Sequence, residues 1–202
     1  WPEDVYKNIK DPNTELLLKK PDINELRAQC SDLIKTYENL GIHVHVLRHS
    51  DCTPNWIFQR DTFNSTPKGL VIARPASEQR KTEAVLQLQA LAALKGPIVL
   101  TIHNNGVFEG ADLLWLNSQT ALIGTSNRTN TDALVQLRAL FPEVTFHEIS
   151  LPQRAQHLLG IMNFLGTSRI GVWTSQLPKL ARKILNKLNI EIIDINHEDE
   201  IS

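Results

Sequence analysis

Residues 113–149 read LLWLNSQTALIGTSNRTNTDALVQLRALFPEVTFHEI, and their pattern decides the fold. Two short apolar runs, Leu113–Leu116 and Ala121–Gly124, are joined by the polar Asn117-Ser118, the signature of two strands meeting at a turn. A helical stretch follows from Thr131 to Leu140, and Pro142 ends it before a β-branched run, Val144–Ile149. The unit reads strand, strand, helix, strand.

Working outward, the helix-then-strand half of this unit recurs. Asn24 through Tyr37 leads across Gly41 into Ile42–Leu47. Glu78 to Leu94, with Val85, Leu88, Leu91 and Ala92 as its apolar face, leads across Gly96-Pro97 into Ile98–Ile102. Leu177 to Leu188 leads into Ile190–Ile195. Strand starts return about every 45–55 residues, a spacing that signals a repeat architecture. Short strands lie between: Leu70–Ala73 after the turn Thr66-Pro67-Lys68-Gly69, and Ile170–Trp173 after Gly166. Leu158–Phe164 fits helix or strand equally well.

A doubly wound sheet has about one strand per helix, whereas here there are nearly three, which favours a pseudo-symmetric ring of α/β units. The whole chain, 1–202, reads as one such domain. It begins inside one unit and stops after the last strand of another. An array lacking a unit would expose an apolar side, so the expectation is a ring incomplete at both ends whose natural product extends further.

Bulk composition bounds the partners. The 202 residues are 42% hydrophobic and 21% charged with a net charge of −1, which gives no electrostatic reason to bind nucleic acid or an anionic membrane. No apolar run approaches the ~18–20 residues of a membrane span. Cys30 and Cys52 are too few for a disulfide framework and have no metal-site spacing; a reducing, cytoplasmic setting fits them best. Cys30 falls in a helix as a small hydrophobe, and Cys52 in the polar loop HSDCTPN.

Three segments place polar groups at the entry to a repeat: Asn55-Trp56-Ile57-Phe58-Gln59-Arg60-Asp61, Phe108-Glu109-Gly110-Ala111-Asp112, and Gln156-His157-Leu158. In a pseudo-symmetric ring, equivalent positions converge near the axis. A carboxylate beside a histidine fixes the imidazole tautomer and raises its basicity, which suits acid–base work. A further carboxylate binds a planar cation such as guanidinium in bidentate fashion. Taken singly, Asp61 and Glu109 also fit loop carboxylates capping a backbone NH, His157 a structural histidine, and Arg128 a surface arginine. His43 and His45 share one face of the expected strand and fit a half-buried pair better than a metal site.

At these residues the chain resembles the guanidino-group-modifying superfamily of arginine and agmatine deiminases, amidinotransferases and dimethylarginine dimethylaminohydrolases. The resemblance rests on an ordered set over roughly residues 25–195: Phe58-Gln59-Arg60-Asp61, Ile72-Ala73-Arg74-Pro75 with Arg80 and Glu83, Phe108-Glu109-Gly110-Ala111-Asp112, Ile123 through Asn130, and His157-Leu158. It implies a fivefold pseudo-symmetric α/β propeller of ββαβ modules. It implies further that Asp61 binds the substrate guanidinium, that Glu109 is the catalytic carboxylate, and that His157 is the general acid–base. Arg128, and with it Arg80, would hold the α-carboxylate of an arginine derivative. A cysteine thiolate would attack the guanidinium carbon, and water or an amine would resolve the covalent intermediate, with no metal or organic cofactor. A homodimer stays open as the assembly.

Two departures shape the expectation. Where many members carry an aspartate two residues after the histidine, this chain has Leu159, which points to a substituted guanidine and dimethylargininase-like hydrolysis. The family's nucleophile stands near the C-terminus, and this chain reaches Ser202 without it. Cys30 and Cys52 do not suit that role, so the chain by itself is expected to be inactive. The alternative is a nucleophile-less homologue that binds arginine-like ligands or a partner protein.

Overall fold

The strand, strand, helix, strand unit forms three times in the computed structural model, which describes residues 6, 8–10, 20–49, 53–153, 155–166 and 168–195. The first copy comprises β1 (Phe63–Thr66), β2 (Gly69–Ile72), α2 (Lys81–Ala93) and β3 (Ile98–Thr101), where α1 is the earlier helix Ile23–Asn39. The second holds β4 (Leu113–Asn117), β5 (Thr120–Thr125), α3 (Thr131–Leu140) and β6 (Thr145–Ser150). The third holds β7 (Met162–Phe164), β8 (Arg169–Val172), α4 (Lys179–Lys187) and β9 (Glu191–Asp194). Each copy is a three-stranded sheet in which a hairpin pairs antiparallel and the last strand joins the middle one in parallel. Parallel neighbours need a long crossover, and the helix of each unit supplies it.

The quoted stretch shows how period-2 alternation builds the core. In the β4–β5 ladder Leu113 pairs with Ile123 and Leu114 with Leu122. Leu113, Ala121 and Ile123 face one cluster, with Val71, Ile102, Phe108 and the inner face of α3. Leu114 and Leu122 face the other, with Ile170, Val172 and the inner face of α4. One sheet therefore serves two cores, which ties neighbouring units together.

The helices follow local rules. Asn130 caps α3 by accepting from Ala133 NH, and Ala133, Leu134 and Leu137 form its buried face. In α4, Ala181, Ile184 and Leu185 turn inward at i, i+3 and i+4 spacing while Lys179, Arg182, Lys183 and Lys187 lie away from that stripe. The α2 helix differs from expectation. Its fully buried positions are Glu83 and Gln87, and Val85 is 54% exposed. The residues read from the sequence as its apolar face are split, Val85 and Ala92 exposed and Leu88 and Leu91 half-buried, while Glu83 turns inward to bind a buried arginine described below.

The chain divides into two compact units, Trp1–Phe58 and Gln59–Ser202, and the three sheets belong to the second. In the first, Asp22 caps α1 through the NH groups of Asn24 and Glu25, and the helix buries none of its residues. Gly41 carries the chain out of the helix at φ 77°. The strand expected over Ile42–Leu47 is not formed; residues 42–49 have no regular structure. In the other units the last strand pairs with the middle strand of the preceding hairpin, and among the described residues no such hairpin precedes α1. His43 and His45 meet edge to face at 4.4 Å between ring centres. Cys52 and His197 lie outside the described residues.

The sequence missed β1, because Asn64, Ser65 and Thr66 lack the apolar alternation of a strand. Leu158–Phe164 resolves into a 3-10 turn, Leu158–Gly160, followed by β7.

Candidate active site

Asp61, Glu109 and His157 occupy equivalent places: each lies just ahead of the first strand of its unit. Asp61 ends up there on a single helical turn, Gln59–Thr62, whose Thr62 accepts at its carbonyl from Ala73 NH. Glu109 follows Phe108, which is fully buried and exchanges both backbone hydrogen bonds with Arg74. His157 precedes the 3-10 turn that opens the third unit.

The turn after Glu109 is held tightly. The Asn64 amide donates to the carbonyls of Gly110 and Leu113, both at 2.8 Å, and Trp115 Nε1 donates to the Asn64 oxygen. A Cβ on Gly110 would stand 2.0 Å from the Phe63 carbonyl oxygen, so only glycine lets the two segments approach this closely.

These supports bring the three side chains together. His157 Nε2 lies 3.4 Å from Glu109 Oε2 and 3.9 Å from Asp61 Oδ2. Arg80 and Arg128 complete the cluster. Arg80 is almost wholly buried: its Nε and Nη2 reach Glu83 Oε2 at 2.9 and 2.8 Å, and its Nη1 lies 2.6 Å from Asp61 Oδ2 and 3.7 Å from Glu109 Oε2. Arg128 Nη1 lies 3.3 Å from both oxygens of Glu109. It also lines a cavity of about 390 Å³ with Ser126, Asn127, Leu151, Gln153 and Gln156.

The expectation for Arg80 changes accordingly. Its guanidinium is engaged by Glu83 and Asp61 and its side chain is 3% exposed, so a substrate carboxylate would have to compete with those two for it. Burial works against the charge on Arg80, but Glu83 and then Asp61 outweigh it and hold its pKa above the ordinary value.

Glu109 is fully buried. Burial pushes its carboxyl above the ordinary value despite the pull of His157 and Arg128. For His157 burial lowers the pKa, but Asp112, Asp61 and Glu109 together raise it above the ordinary value. Both groups therefore hold their protons more tightly than in the free residues.

Asp61, Glu109 and His157 each bring one donor atom within 4.8 Å of the others. The Arg80 guanidinium supplies positive charge to the same place.

Two acidic residues carry more of the site than their sequence context suggested. Glu83 holds Arg80, and Asp112, fully buried, accepts from Leu158 NH at 3.0 Å and from Thr129 Oγ1 at 2.6 Å. The signal was there: Glu109 and Asp112 bracket a turn, and Arg80 and Glu83 are spaced i, i+3. Both spacings also occur in plain turns and helices. Cys30 lies in α1 with its thiol pKa raised by burial, the opposite of what a nucleophilic thiolate needs.

Comparison with known proteins places the chain in the guanidino-group-modifying pentein superfamily. It belongs to the family described as "N,N dimethylarginine dimethylhydrolase, eukaryotic", whose pattern matches residues 13–201. An uncharacterized protein of Aeropyrum pernix is 25% identical over 200 residues, covering 98% of this chain and 72% of the relative. The N(G),N(G)-dimethylarginine dimethylaminohydrolase of Pseudomonas aeruginosa is 24% identical over 134 residues, covering 66% of this chain and 52% of the relative. Among solved structures, a cysteine-to-serine mutant of the Pseudomonas aeruginosa DDAH complexed with citrulline superposes with a TM-score of 0.75 at 22% identity, covering 91% of this chain and 70% of that one. The chain thus spans between about half and three quarters of the length of these proteins.

Proposed function

We propose that residues 59–202 hold the guanidinium-binding and acid–base part of an enzyme that acts on arginine or a substituted arginine. The observation that carries this reading is the meeting of Asp61, Glu109 and His157 from equivalent positions of three repeated units. Their place in the fold supports a ring arrangement in which such entries face one axis.

Asp61, Glu83, Glu109 and Asp112 face two guanidiniums, Arg80 and Arg128, and one imidazole. The Arg60 guanidinium also bears on Asp61, so with His157 protonated the charges balance, and the Asp61 and Glu109 carboxylates are the groups that would draw a guanidinium substrate. Asp61 and Glu109 would grip its nitrogens. His157 would protonate the leaving amine and then take a proton from water. Arg128, at the cavity wall, would receive the α-carboxylate.

The finer reading is dimethylargininase-like hydrolysis. Leu159 supports it, since a half-buried leucine offers no second carboxylate to an unsubstituted guanidinium. The reaction needs a thiolate at the guanidinium carbon, and residues 59–202 contain no cysteine. The second reading is a nucleophile-less homologue that binds arginine-like ligands or a partner protein without turnover.

Calorimetry tests the shared core of both readings. The chain should bind arginine and methylated arginines and ignore norleucine, and Glu109→Gln should abolish the binding. A folded protein with no affinity for any guanidine would end the proposal. Turnover of methylarginine to citrulline by a form of the protein that carries a nucleophilic cysteine separates the two readings.

A further inference from the structure

We infer that Asp112 is a positioning residue for His157: its carboxylate is the hydrogen-bond acceptor that keeps the imidazole's proton on Nδ1 and so leaves Nε2 as the nitrogen that exchanges protons with a substrate. The inference deepens the acid–base role given to His157 above and rests on it for its catalytic meaning.

The two ring nitrogens face different surroundings. Nε2 points at Glu109 and Asp61, where a guanidinium would lie. Nδ1 is buried with no hydrogen-bond partner, and the acceptor facing it is Asp112 Oδ2 at 3.6 Å. That separation is an ion-pair contact, longer than a closed hydrogen bond. A buried nitrogen left without a partner is costly, and closing a few tenths of an ångström removes the cost. Catalytic hydrogen bonds are often long in the ligand-free state and tighten in the complex.

Asp112 is built to stay in place. Its Oδ1 accepts from Leu158 NH, the peptide next to the histidine, and its Oδ2 from Thr129. One carboxylate therefore fixes both the backbone after His157 and the ring itself. Gly124 packs so closely that a Cβ there would stand 3.0 Å from Asp112 Oδ1. In the neutral ring, a proton on Nδ1 puts the lone pair on Nε2, toward the substrate side. The charged groups that bear on the ring are Asp61, Glu109 and Asp112, with Arg80 and Arg128 behind the first two.

A purely structural Asp112 would staple Leu158 to Thr129 and leave the tautomer to chance, and an unconstrained histidine prefers its proton on Nε2. Nitrogen NMR of the histidine-labelled chain distinguishes the two. His157 is assigned by the signal lost in His157→Gln, and spectra are taken above the ring's titration midpoint without ligand. The expected result is a neutral His157 protonated at Nδ1. Asp112→Asn should lower the ring's proton affinity about tenfold or more, one pKa unit, and remove the Nδ1 preference. Thr129→Val, which cuts the staple and keeps the carboxylate, should preserve it. A neutral His157 with its proton on Nε2 in the unchanged protein overturns the inference, whether or not Asp112→Asn folds. Because no ligand is involved, a chain that shows the Nδ1 tautomer but binds no guanidine would sink the proposed function alone.

Discussion

Arg128 reaches both oxygens of Glu109 through one nitrogen at 3.3 Å, whereas Arg80 holds Asp61 at 2.6 Å. Charge-assisted hydrogen bonds of full strength run nearer 2.7–2.9 Å. The Arg128 side chain is 22% exposed at the cavity and that of Arg80 only 3%. Of the two guanidiniums, Arg128 is the one that can turn to a ligand.

Replacing Arg128 with methionine should therefore weaken arginine binding by about 1.5–3 kcal/mol, the worth of a charge-assisted contact, or roughly 10- to 100-fold in Kd. Agmatine, with a guanidinium and no carboxylate, should lose far less, because Glu109 is relieved of a competing cation. Calorimetric titration of both ligands checks this; an equal loss for the two would count against a carboxylate role.

The pH dependence of stability follows from the raised pKa of His157 and of Glu109. In both cases the folded state holds its proton more tightly than the unfolded chain, so the stability conferred is present at low pH and is lost as pH rises. For His157 the loss begins near its ordinary value of 6.5 and completes above the raised folded value; for Glu109 it begins near 4.5. Chemical denaturation at a series of pH values should show stability falling through these windows. His157→Gln should remove the upper part of the slope.

Glu83→Gln leaves the Arg80 guanidinium buried with a weaker partner. Breaking a buried pair from one side costs about 3–5 kcal/mol when the charge is fully lost, and a neutral amide should give the lower end of that range. Arg80→Met with Glu83→Met should cost less than the two methionine changes sum to, since neither member of that pair is left facing the other's absence, while Asp61 loses its partner in the Arg80 single and in the double alike. Urea unfolding of the two singles and the double measures this.

Gly110→Ala should damage the site beyond its effect on stability. The added Cβ would meet the carbonyl oxygens of Phe63 and Arg60 at 2.0 and 2.6 Å. Relief requires moving the turn that carries Glu109 and Asp112, at about 1–3 kcal/mol as for other overpacked positions. Arginine affinity, read by titration of the folded variant, should fall more than the melting temperature alone would explain.

The sequence was legible wherever local chemistry and global packing agree. The hairpin of β4 and β5, the helix over Thr131–Leu140 and the helix-then-strand order of the third unit are all written in residue spacing. It misled in part at α2, where Val85 lies exposed, Leu88 and Leu91 are only half-buried, and the fully buried positions are Glu83 and Gln87. A buried ion pair outweighs the hydrophobic pattern there, and such conflicts are expected where a site is built. The segment Ile42–Leu47 has strand composition but no strand to pair with among the described residues, and composition cannot supply the other half of a hydrogen-bonded ladder.

By itself, then, the sequence determined the repeating unit and the identity of Asp61, Glu109 and His157, because periodicity and position within a repeat are properties of a one-dimensional string. The tertiary structure decided what those residues touch. It placed Arg80 against Asp61 and Glu83, set Arg128 between Glu109 and the cavity, and brought Asp112 to the far side of the His157 ring. Electrostatic interaction depends on ångström distances and on exclusion of water, and neither is fixed until the units have packed.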